Sequence, residues 1–440
     1  MLLAFAATGV YAWQLFRDNL RIPTFCYVWA TSVVILLLGA VDRTLTGVRA
    51  YYVGGHGGTH WLTWAEYGNA ELAAAIGIIC IALGHYWANR RQWHFSLPEF
   101  IDSRAPDPER LRRWAFFLLV AGLVPLAATG ILNPVTLLRA LVHGRSVHGA
   151  AVYLFSEGTF FAFFNVFSNL VPFGAVAVAI LLWGRKRPWA LLVFVGFYCV
   201  IDFLGGTRSA AAALLAPFIV LPRYMGNTKL FRRLAVIAVV GGFLLFTVQL
   251  AYRTAGFQHV QLGHVFSHTN PVAVVDGFEL DWTGEAMHLY GKRFSYLAGE
   301  SYYAVLVNPI PRVFWHDKPG GYSSVNAAHL GFGFGTTMTS AWMGEAYANF
   351  GWFGIPIVGL VAGAIMGILD VFIRRSGPFA IAVFLPLQLH WAFWVRGDSV
   401  SYMDTWLFGI ILLSVAMVLT GPARHPDQLP ASMDAADIAL

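Results

Sequence analysis

Long apolar stretches recur along the whole chain, and short segments that carry most of the charge separate them. A helix needs about 20 apolar residues to cross a bilayer, and fewer suffice where the helix is short or thins the membrane. The pattern therefore predicts an all-α polytopic membrane protein with about 11 transmembrane helices. The predicted spans are residues 2–16, 24–41, 68–88, 114–132, 156–182, 189–204, 208–222, 234–250, 351–372, 379–395 and 403–420.

Basic residues fall mainly in every second loop between these spans. The loops assigned to the cytoplasmic side carry about 17 Lys and Arg, against about five in the short loops on the other side. This bias predicts an N-terminus outside and a C-terminus inside. It also accounts for the net charge of +6 without a nucleic-acid partner. The composition, 58% hydrophobic and 12% charged, agrees with a membrane protein.

Residues 251–350 interrupt the alternation, because they form a connection of about 100 residues on the outer side. This segment is rich in Gly, aromatic residues and His, and it has too few charges for a disordered tail. We expect it to fold back onto the membrane face and to cap a cavity. The chain is thus predicted to form one integral membrane domain, residues 1–420, followed by a disordered cytoplasmic tail at 421–440.

A short hairpin is predicted at residues 188–223, where two apolar runs flank the sequence GGTR. Each run covers only about 22–24 Å, which is less than the hydrocarbon core of about 30 Å. Broken backbone at that depth needs cover from protein or water. Gly205 and Gly206 permit the turn, and Arg208 either projects into a wet vestibule or extends outward to the interface.

Three further segments collect ionisable residues on a chain that otherwise has few. PIPRVFWHDKPGGYS (309–323) holds Arg312, His316, Asp317 and Lys318 on a proline-rich turn. MGEAYANFGWFGI (343–355) holds Glu345, which either acts as a base or pairs with an Arg to fix the loop.

HWAFWVRGDS (390–399) holds Arg396 and Asp398, which could pair with each other. His390 lies alone on an apolar helix and is predicted to be a hydrogen-bonded core residue. Gly359, Gly363 and Gly367 repeat every four residues, and this spacing predicts close packing against another helix.

The predicted topology places most of these charges on the outer side of the membrane. Several cations with few carboxylates among them suit an anionic, lipid-linked substrate, because guanidinium groups bind phosphate oxygens at two points. No Asp-x-Asp pair or His cluster indicates a metal, and Cys26, Cys80 and Cys199 show neither disulfide nor zinc spacing. The outer cations are Arg208, Arg253, Arg293, Arg312, Lys318 and Arg396.

Four motifs together resemble the Wzy-type bacterial oligosaccharide repeat-unit polymerases of O-antigen and exopolysaccharide synthesis. They are GGTRS at 205–209, IPRVFWHDKP at 310–319, MGEAYANFGWFGI at 343–355 and RGD at 396–398. The resemblance implies a metal-independent glycosyltransferase of the inner membrane, without a cofactor and with its active site facing the periplasm. A xanthan-like exopolysaccharide is one product that it suggests.

The resemblance also implies the reaction and its participants. The growing glycan leaves its undecaprenyl diphosphate carrier and joins the non-reducing end of a new lipid-linked repeat unit. A chain-length co-polymerase and a flippase are the implied protein partners, and the bilayer is the implied surroundings.

The residue roles follow from what this reaction needs. Arg208, Arg312 and Lys318 would neutralise the departing diphosphate, with Arg396, Arg253 and Arg293 as further candidates. Glu345 would deprotonate the attacking hydroxyl, with Asp398 and His316 as alternatives. Trp315, Tyr322 and Trp342 would either stack on sugar rings or anchor the loop at the interface.

Other functions stay open at the level of sequence. An O-antigen-type ligase would use the same donor with a different acceptor. A transporter or flippase for the lipid-linked oligosaccharide would need internal repeats and polar residues at mid-membrane, and no repeat is visible. A membrane acyltransferase would need a paired His, which the sequence does not show.

Overall fold

The structure is a computed structural model, and it describes residues 1–46, 51–53, 59–91, 108–128, 170–184, 208–255, 279–308, 310, 314–331, 340–375, 378–400, 402–403, 406, 409–411 and 414. The described part is mostly helical, with one pair of three-residue strands. The helices are α1 (Leu2–Asp18), α2 (Thr24–Ser32), α3 (Leu38–Thr46), α4 (Trp64–Arg90), α5 (Pro108–Ala128), α6 (Val171–Gly184), α7 (Arg208–Tyr224), α8 (Thr228–Ala255), α9 (Glu279–Leu289), α10 (Glu300–Val307), α11 (Tyr322–His329), α12 (Ala341–Phe350), α13 (Gly354–Arg375) and α14 (Pro378–Trp394).

Short irregular elements join some of these helices. A π-helical turn at Val33–Leu37 connects α2 to α3, and a 3₁₀ turn at Gly351–Phe353 connects α12 to α13. The strands β1 (Tyr51–Val53) and β2 (Thr59–Trp61) pair antiparallel, with Tyr51 opposite Trp61. They do not change the class of the fold.

Three stretches of helix in the described part are long and apolar enough to cross a membrane: Thr24–Leu45, Trp64–Arg90 and Ala341–Arg374. Two shorter apolar helices lie at Val171–Leu182 and Ile381–Trp394. This supports the predicted class of helical membrane protein. The count of eleven crossings stays a prediction, and the predicted span 189–204 and tail 421–440 lie outside the described residues.

The central contact of the bundle is between α4 and α13, which run parallel to each other. The predicted glycine stripe of α13 forms this contact. A Cβ atom at Gly359 would lie 3.0 Å from the Cβ of Cys80, and one at Gly367 would lie 2.8 Å from the Cβ of Ala88. A Cβ atom at Gly84 of α4 would collide with the Leu360 carbonyl oxygen. The prediction of close packing is therefore confirmed.

The same two helices carry their large apolar side chains on the outside. On α4, Leu72 and Leu83 are 51% and 54% exposed, whereas small residues such as Ala70 and Ala73 are fully buried. On α13, Ile357 and Val361 are 56% and 55% exposed. Small residues at helix contacts and large apolar residues facing outward are typical of helices that pack within lipid.

Polar capping fixes the start of α4. Thr63 Oγ1 accepts a hydrogen bond from the Glu66 amide at 3.2 Å, and Glu66 Oε2 accepts one from the Thr63 amide at 2.8 Å. This reciprocal pair satisfies two of the amides that every helix start leaves without an intrahelical partner. Glu66 and His85 are 19 residues apart on α4, so about 28 Å of helix separates these two residues.

The predicted long outer connection contains helices of its own. Helices α9, α10, α11 and α12 all fall within residues 251–350, and α9 packs against both α4 and α12. Helix α12 then turns sharply into α13 at Gly351, whose φ of 61° with ψ of −151° favours glycine. The 34-residue apolar stretch Ala341–Arg374 is thus two helices, and α12 holds Glu345 against the rest of the segment.

Candidate functional site

The Glu345 carboxylate lies at the centre of a buried polar cluster and is fully shielded from solvent. Ser301 Oγ of α10 donates a hydrogen bond to Oε1 at 2.7 Å. The amide and the hydroxyl of Ser399 both donate to Oε2, each at 2.7 Å. Trp394 Nε1 donates in turn to Ser399 Oγ at 3.2 Å. Two of the sequence motifs, 54 residues apart, therefore meet at one carboxylate.

Asn349 positions the serine on the other side of Glu345. Its Nδ2 donates to Ser301 Oγ and to the Glu345 carbonyl oxygen, both at 2.8 Å. Its Oδ1 accepts a hydrogen bond from the Gly299 amide at 2.9 Å. The Asn349 side chain thus hydrogen-bonds both the loop before α10 and Ser301. This chain of hydrogen bonds fixes the position of Ser301 relative to Glu345.

Asp398 joins the RGDS segment to the start of α11. Its Oδ2 accepts a hydrogen bond from the Ser323 amide at 2.9 Å, and the side chain is 2% exposed. A carboxylate at a helix N-terminus is favourable, because it satisfies a free amide and opposes the helix dipole. Gly321 gives the room for this approach, since a Cβ there would lie 3.0 Å from Asp398 Oδ2.

Glu279 at the start of α9 provides the third carboxylate. Its Oε2 accepts a hydrogen bond from the Ala341 amide at 3.2 Å, and Arg396 Nε lies 3.7 Å from Oε1. Ala341 has a φ of 51°, which is unusual for a residue with a Cβ. Thr283 Oγ1 donates to the Ser340 carbonyl oxygen beside it at 2.8 Å. Helix α9 thus holds a strained start of α12 in place.

We call Glu279, Glu345 and Asp398, with their partners Ser301, Ser323, Asn349, Arg396 and Ser399, the carboxylate cluster. One ion pair and one histidine–carboxylate contact attach α9 to neighbouring elements. Arg43 Nη2 lies 2.6 Å from Asp281 Oδ2, and His288 Nδ1 lies 2.5 Å from Glu66 Oε1. The cluster therefore lies at the end of the bundle where α4 begins.

The predicted diphosphate-binding cations are found in different places. Arg396 lies in the cluster, and its side chain is 26% exposed. Lys318 Nζ donates to the carbonyl oxygens of Asn308 and Ile310, both at 2.9 Å, so it folds back onto its own turn. Arg293 is exposed, and its guanidinium lies 5.5 Å from the ring centre of Phe294.

The remaining predicted cations are Arg208, Arg253 and Arg312. Arg312 lies outside the described residues, and of Arg208 and Arg253 the structure describes only the backbone, at the start of α7 and near the end of α8. Convergence of Arg208 and Arg312 on the cluster stays a prediction. His316 and Asp317 are exposed on the turn before Lys318.

The three aromatic residues predicted to stack on sugars also differ in exposure. Trp315 is half-buried and meets the Tyr303 ring edge to face, with centres 6.4 Å apart. Tyr322 is fully buried, and its hydroxyl accepts a hydrogen bond from Ser340 Oγ at 2.8 Å. Trp342 is 2% exposed and stacks on Trp394, with ring centres 5.0 Å apart. Of these three residues, Trp315 alone presents part of its ring to solvent.

A second polar centre lies near the other end of α4. His85 Nε2 lies 2.8 Å from Asp370 Oδ2, and the other ring nitrogen of His85 lies 2.8 Å from the Tyr11 hydroxyl. Asp370 also accepts hydrogen bonds from the amide and hydroxyl of Thr24 and from Gln388 Nε2. Tyr224 OH donates to Gln388 Oε1 at 3.0 Å.

We call Tyr11, Thr24, His85, Tyr224, Asp370 and Gln388 the His85–Asp370 network. It joins six helices: α1, α2, α4, α7, α13 and α14. His390, also on α14, is half-buried and hydrogen-bonds through Nδ1 to the Pro386 carbonyl oxygen at 2.8 Å, so the predicted hydrogen bond is confirmed.

The chemistry of the carboxylate cluster is that of proton transfer and hydroxyl binding. Carboxylates with serine donors can accept a proton from a bound hydroxyl. Within the described ranges, no group of three or more His, Cys, Asp or Glu side chains is arranged to hold a metal ion.

Sequence reasoning missed Ser301, Ser399, Asn349 and Glu279. The available signals were the NFG and RGDS segments and three carboxylates within seven residues of α9, in ELDWTGE. No protein-family model, no curated protein and no solved structure matches this chain.

Proposed function

We propose that this chain is a membrane glycosyltransferase that polymerises oligosaccharide repeat units carried on undecaprenyl diphosphate. The observation that carries the proposal is the direct contact between Glu345 and Ser399. Glu345 belongs to the MGEAYANFGWFGI segment and Ser399 directly follows RGD, and both segments are among the four that carry the resemblance to Wzy-type polymerases. Their meeting at a carboxylate is what a shared catalytic site would require.

The proposed reaction is a single displacement at the anomeric carbon of the donor. The acceptor hydroxyl oxygen forms the new glycosidic bond while the bond from the anomeric carbon to the phosphate oxygen breaks. Negative charge then develops on the departing diphosphate, and preorganised cations stabilise it. Arg208, Arg312 and Lys318 are the proposed cations, with Arg396, Arg253 and Arg293 as further candidates.

Glu345 is the proposed base, and it receives the proton of the attacking hydroxyl. Both of its oxygens are occupied in this structure, by Ser301 and by Ser399. A sugar hydroxyl has the same donor geometry as a serine hydroxyl, so the acceptor would replace one of these donors on binding. Asp398 and His316 are the alternative bases. A positioned base contributes about 10²–10⁴-fold to the rate of such a step.

The charge of the cluster supports a division of labour within the site. Glu279, Glu345 and Asp398 are all buried within it, and Arg396 is half-buried beside Glu279. Carboxylates repel a diphosphate, so we assign the cluster to the acceptor hydroxyl and the outlying cations to the carrier. We further propose that this end of the bundle faces the periplasm, in the inner membrane, alongside a flippase and a chain-length co-polymerase.

Purified protein in liposomes with a synthetic undecaprenyl-diphosphate repeat unit tests the function. We expect a ladder of products without added divalent metal or sugar nucleotide, and we expect Arg312→Ala and Arg208→Ala each to abolish it. Arg17→Ala is the control, because Arg17 is exposed and pairs only with its neighbour Asp18 among the described contacts. It should leave the ladder unchanged.

Three outcomes would contradict the proposal. The reaction could stop when a chelator is added, which would require a metal. Both arginine variants could keep wild-type turnover, which would remove the assigned cations from the site. Transfer of preformed long chains to a second acceptor, without elongation, would identify a ligase instead.

A further inference from the structure

Helix α11 has its polar side chains on the buried face, which is the reverse of the usual pattern. Ser323 is 1% exposed and Asn326 is fully buried, whereas Ser324 and Ala328 of the same helix are exposed. Residues three apart lie on one face of a helix, so Ser323 and Asn326 are neighbours. A short helix that buries polar groups needs partners for them.

Those partners are absent within the part of the chain that the structure describes. Ser323 Oγ, Asn326 Nδ2 and Asn326 Oδ1 are all buried and form no hydrogen bond there. A buried polar group without a partner lowers the stability of a protein, and three such atoms occur on one turn. Most buried polar atoms in proteins are satisfied, so this concentration calls for a ligand or a bound group.

The helix is anchored at both ends, so this face is held in position. Asp398 binds the Ser323 amide at the start of α11. At its end, His329 stacks on Phe294 with ring centres 4.1 Å apart, and Nδ1 lies 3.2 Å from the Tyr290 hydroxyl. Burial lowers the pKa of His329, which favours its neutral form. A fixed polar face favours binding, because little freedom is lost when a ligand arrives.

The chemistry of the three atoms selects the ligand. An amide nitrogen donates, an amide oxygen accepts, and a hydroxyl does both. An anion would satisfy only the donors and would meet the Asp398 carboxylate beside Ser323. A cation would satisfy only the acceptors. Neutral hydroxyl groups satisfy all three atoms.

We propose that the buried face of α11, at Ser323 and Asn326, binds hydroxyl groups of the glycan beside Asp398, whose neighbour Ser399 contacts the Glu345 base. This inference rests on the proposed function for the identity of the glycan. Tyr302 on α10, whose buried hydroxyl also forms no hydrogen bond within the described residues, is a further candidate contact. The site would hold the sugar of the lipid-linked unit and not its diphosphate.

Asn326→Leu separates this role from a structural one. Leu has the same branching and the same number of side-chain heavy atoms as Asn but no polar atoms, so in the absence of substrate we expect an unchanged or higher melting temperature. Affinity for the undecaprenyl-diphosphate-linked oligosaccharide should fall about tenfold, which is the loss of one or two hydrogen bonds. Affinity for undecaprenyl diphosphate without sugar should not change. Both are measured in nanodiscs, with and without chelator.

Two further variants complete the experiment. Ser323→Ala, which removes only one hydroxyl, is used if Asn326→Leu does not accumulate as folded protein. It should also weaken binding of the glycan-bearing lipid. Ser324→Ala, on the exposed face of the same helix, is the control and should bind both lipids like the wild type.

The inference is overturned if Asn326→Leu lowers the melting temperature and leaves glycan affinity unchanged. In that case water, and not the glycan, hydrogen-bonds the side-chain amide of Asn326. Loss of wild-type binding in chelator would assign a cation and overturn it as well. Failure of the proposed function looks different. In that case the wild type binds the glycan-bearing lipid through Asn326 but makes no ladder. If a ladder forms with wild-type KM in Asn326→Leu, the function stands and the inference falls.

Discussion

The two polar centres at opposite ends of α4 differ in how completely their groups are paired. In the His85–Asp370 network, each side chain has a hydrogen-bond partner from another helix. In the carboxylate cluster, both carboxylate oxygens of Glu345 accept hydrogen bonds. In and beside the same cluster, Ser323 Oγ, the side-chain amide of Asn326 and the Tyr302 hydroxyl form no hydrogen bond within the described residues. Both centres are buried, so exposure alone does not distinguish them.

This difference indicates two roles. A network in which every polar group has a hydrogen-bond partner fixes the relative positions of several helices. Such a network stabilises the bundle and has no polar atom left to bind a ligand. In a cluster where some polar groups lack hydrogen-bond partners, a bound substrate can provide those partners. We therefore expect substitutions in the network to act mainly on stability, and substitutions in the cluster to act mainly on turnover.

The largest expected effect on stability comes from Asp370→Ala. It removes the common acceptor of His85, Thr24 and Gln388, and it takes from the buried His85 Nε2 and Thr24 amide the acceptor that they have in the wild type. We expect the free energy of unfolding to fall by about 3–5 kcal/mol, as when one partner of a buried pair is removed. Thermal unfolding of the detergent-purified protein measures it.

Asp370→Asn is the matched variant for this prediction. Its oxygen can still accept from Thr24, and its amide can donate to His85, so most of the lost stability should return. An Asp370→Ala protein as stable as the wild type would show that the network does not hold the bundle together.

A smaller effect is expected where α4 and α13 connect the two centres. A Cβ at Gly84 would collide with the Leu360 carbonyl oxygen, so Gly84→Ala forces the helices apart. Overpacking of this kind costs about 1–3 kcal/mol. Gly68→Ala on the same helix is the control, because a Cβ there meets nothing within 4 Å.

The control variant, Gly68→Ala, should change the stability in the opposite direction to Gly84→Ala. Alanine is the better helix former, so Gly68→Ala should stabilise the protein by about 0.5–1 kcal/mol. The pair is measured by thermal unfolding under identical conditions. Equal melting temperatures for the two variants would mean that the close contact between α4 and α13 does not exist in the membrane.

The sequence predicted features that depend on local pattern. Apolar stretches predicted helices of spanning length, and the repeat of Gly359, Gly363 and Gly367 predicted the close contact with α4. The motifs around Glu345 and Asp398 predicted that both residues belong to one site; the two residues lie in one cluster, and their catalytic roles stay a prediction. These features follow from composition and spacing within short segments.

The partners of those residues could not be predicted in the same way. Ser301 meets Glu345 across 44 residues and His85 meets Asp370 across 285, and helical periodicity does not say which faces of distant helices touch. Asp370 and His85 did carry a signal, because ionisable residues inside apolar spans are rare and need a partner. Lys318 hydrogen-bonds the carbonyl oxygens of Asn308 and Ile310, a contact that its sequence does not predict, and its role toward a phosphate stays a prediction.

The central claim, that the cluster around Glu345 carries the reaction, is tested most directly by the turnover of Glu345→Gln in liposomes. Initial rates of glycan elongation are compared with those of the wild type and of Asp370→Asn, each per folded molecule. The account predicts that Glu345→Gln lowers turnover at least about 100-fold, because the base is lost. Asp370→Asn should keep wild-type turnover. Wild-type turnover in Glu345→Gln, or an equal loss in both variants, would contradict the account.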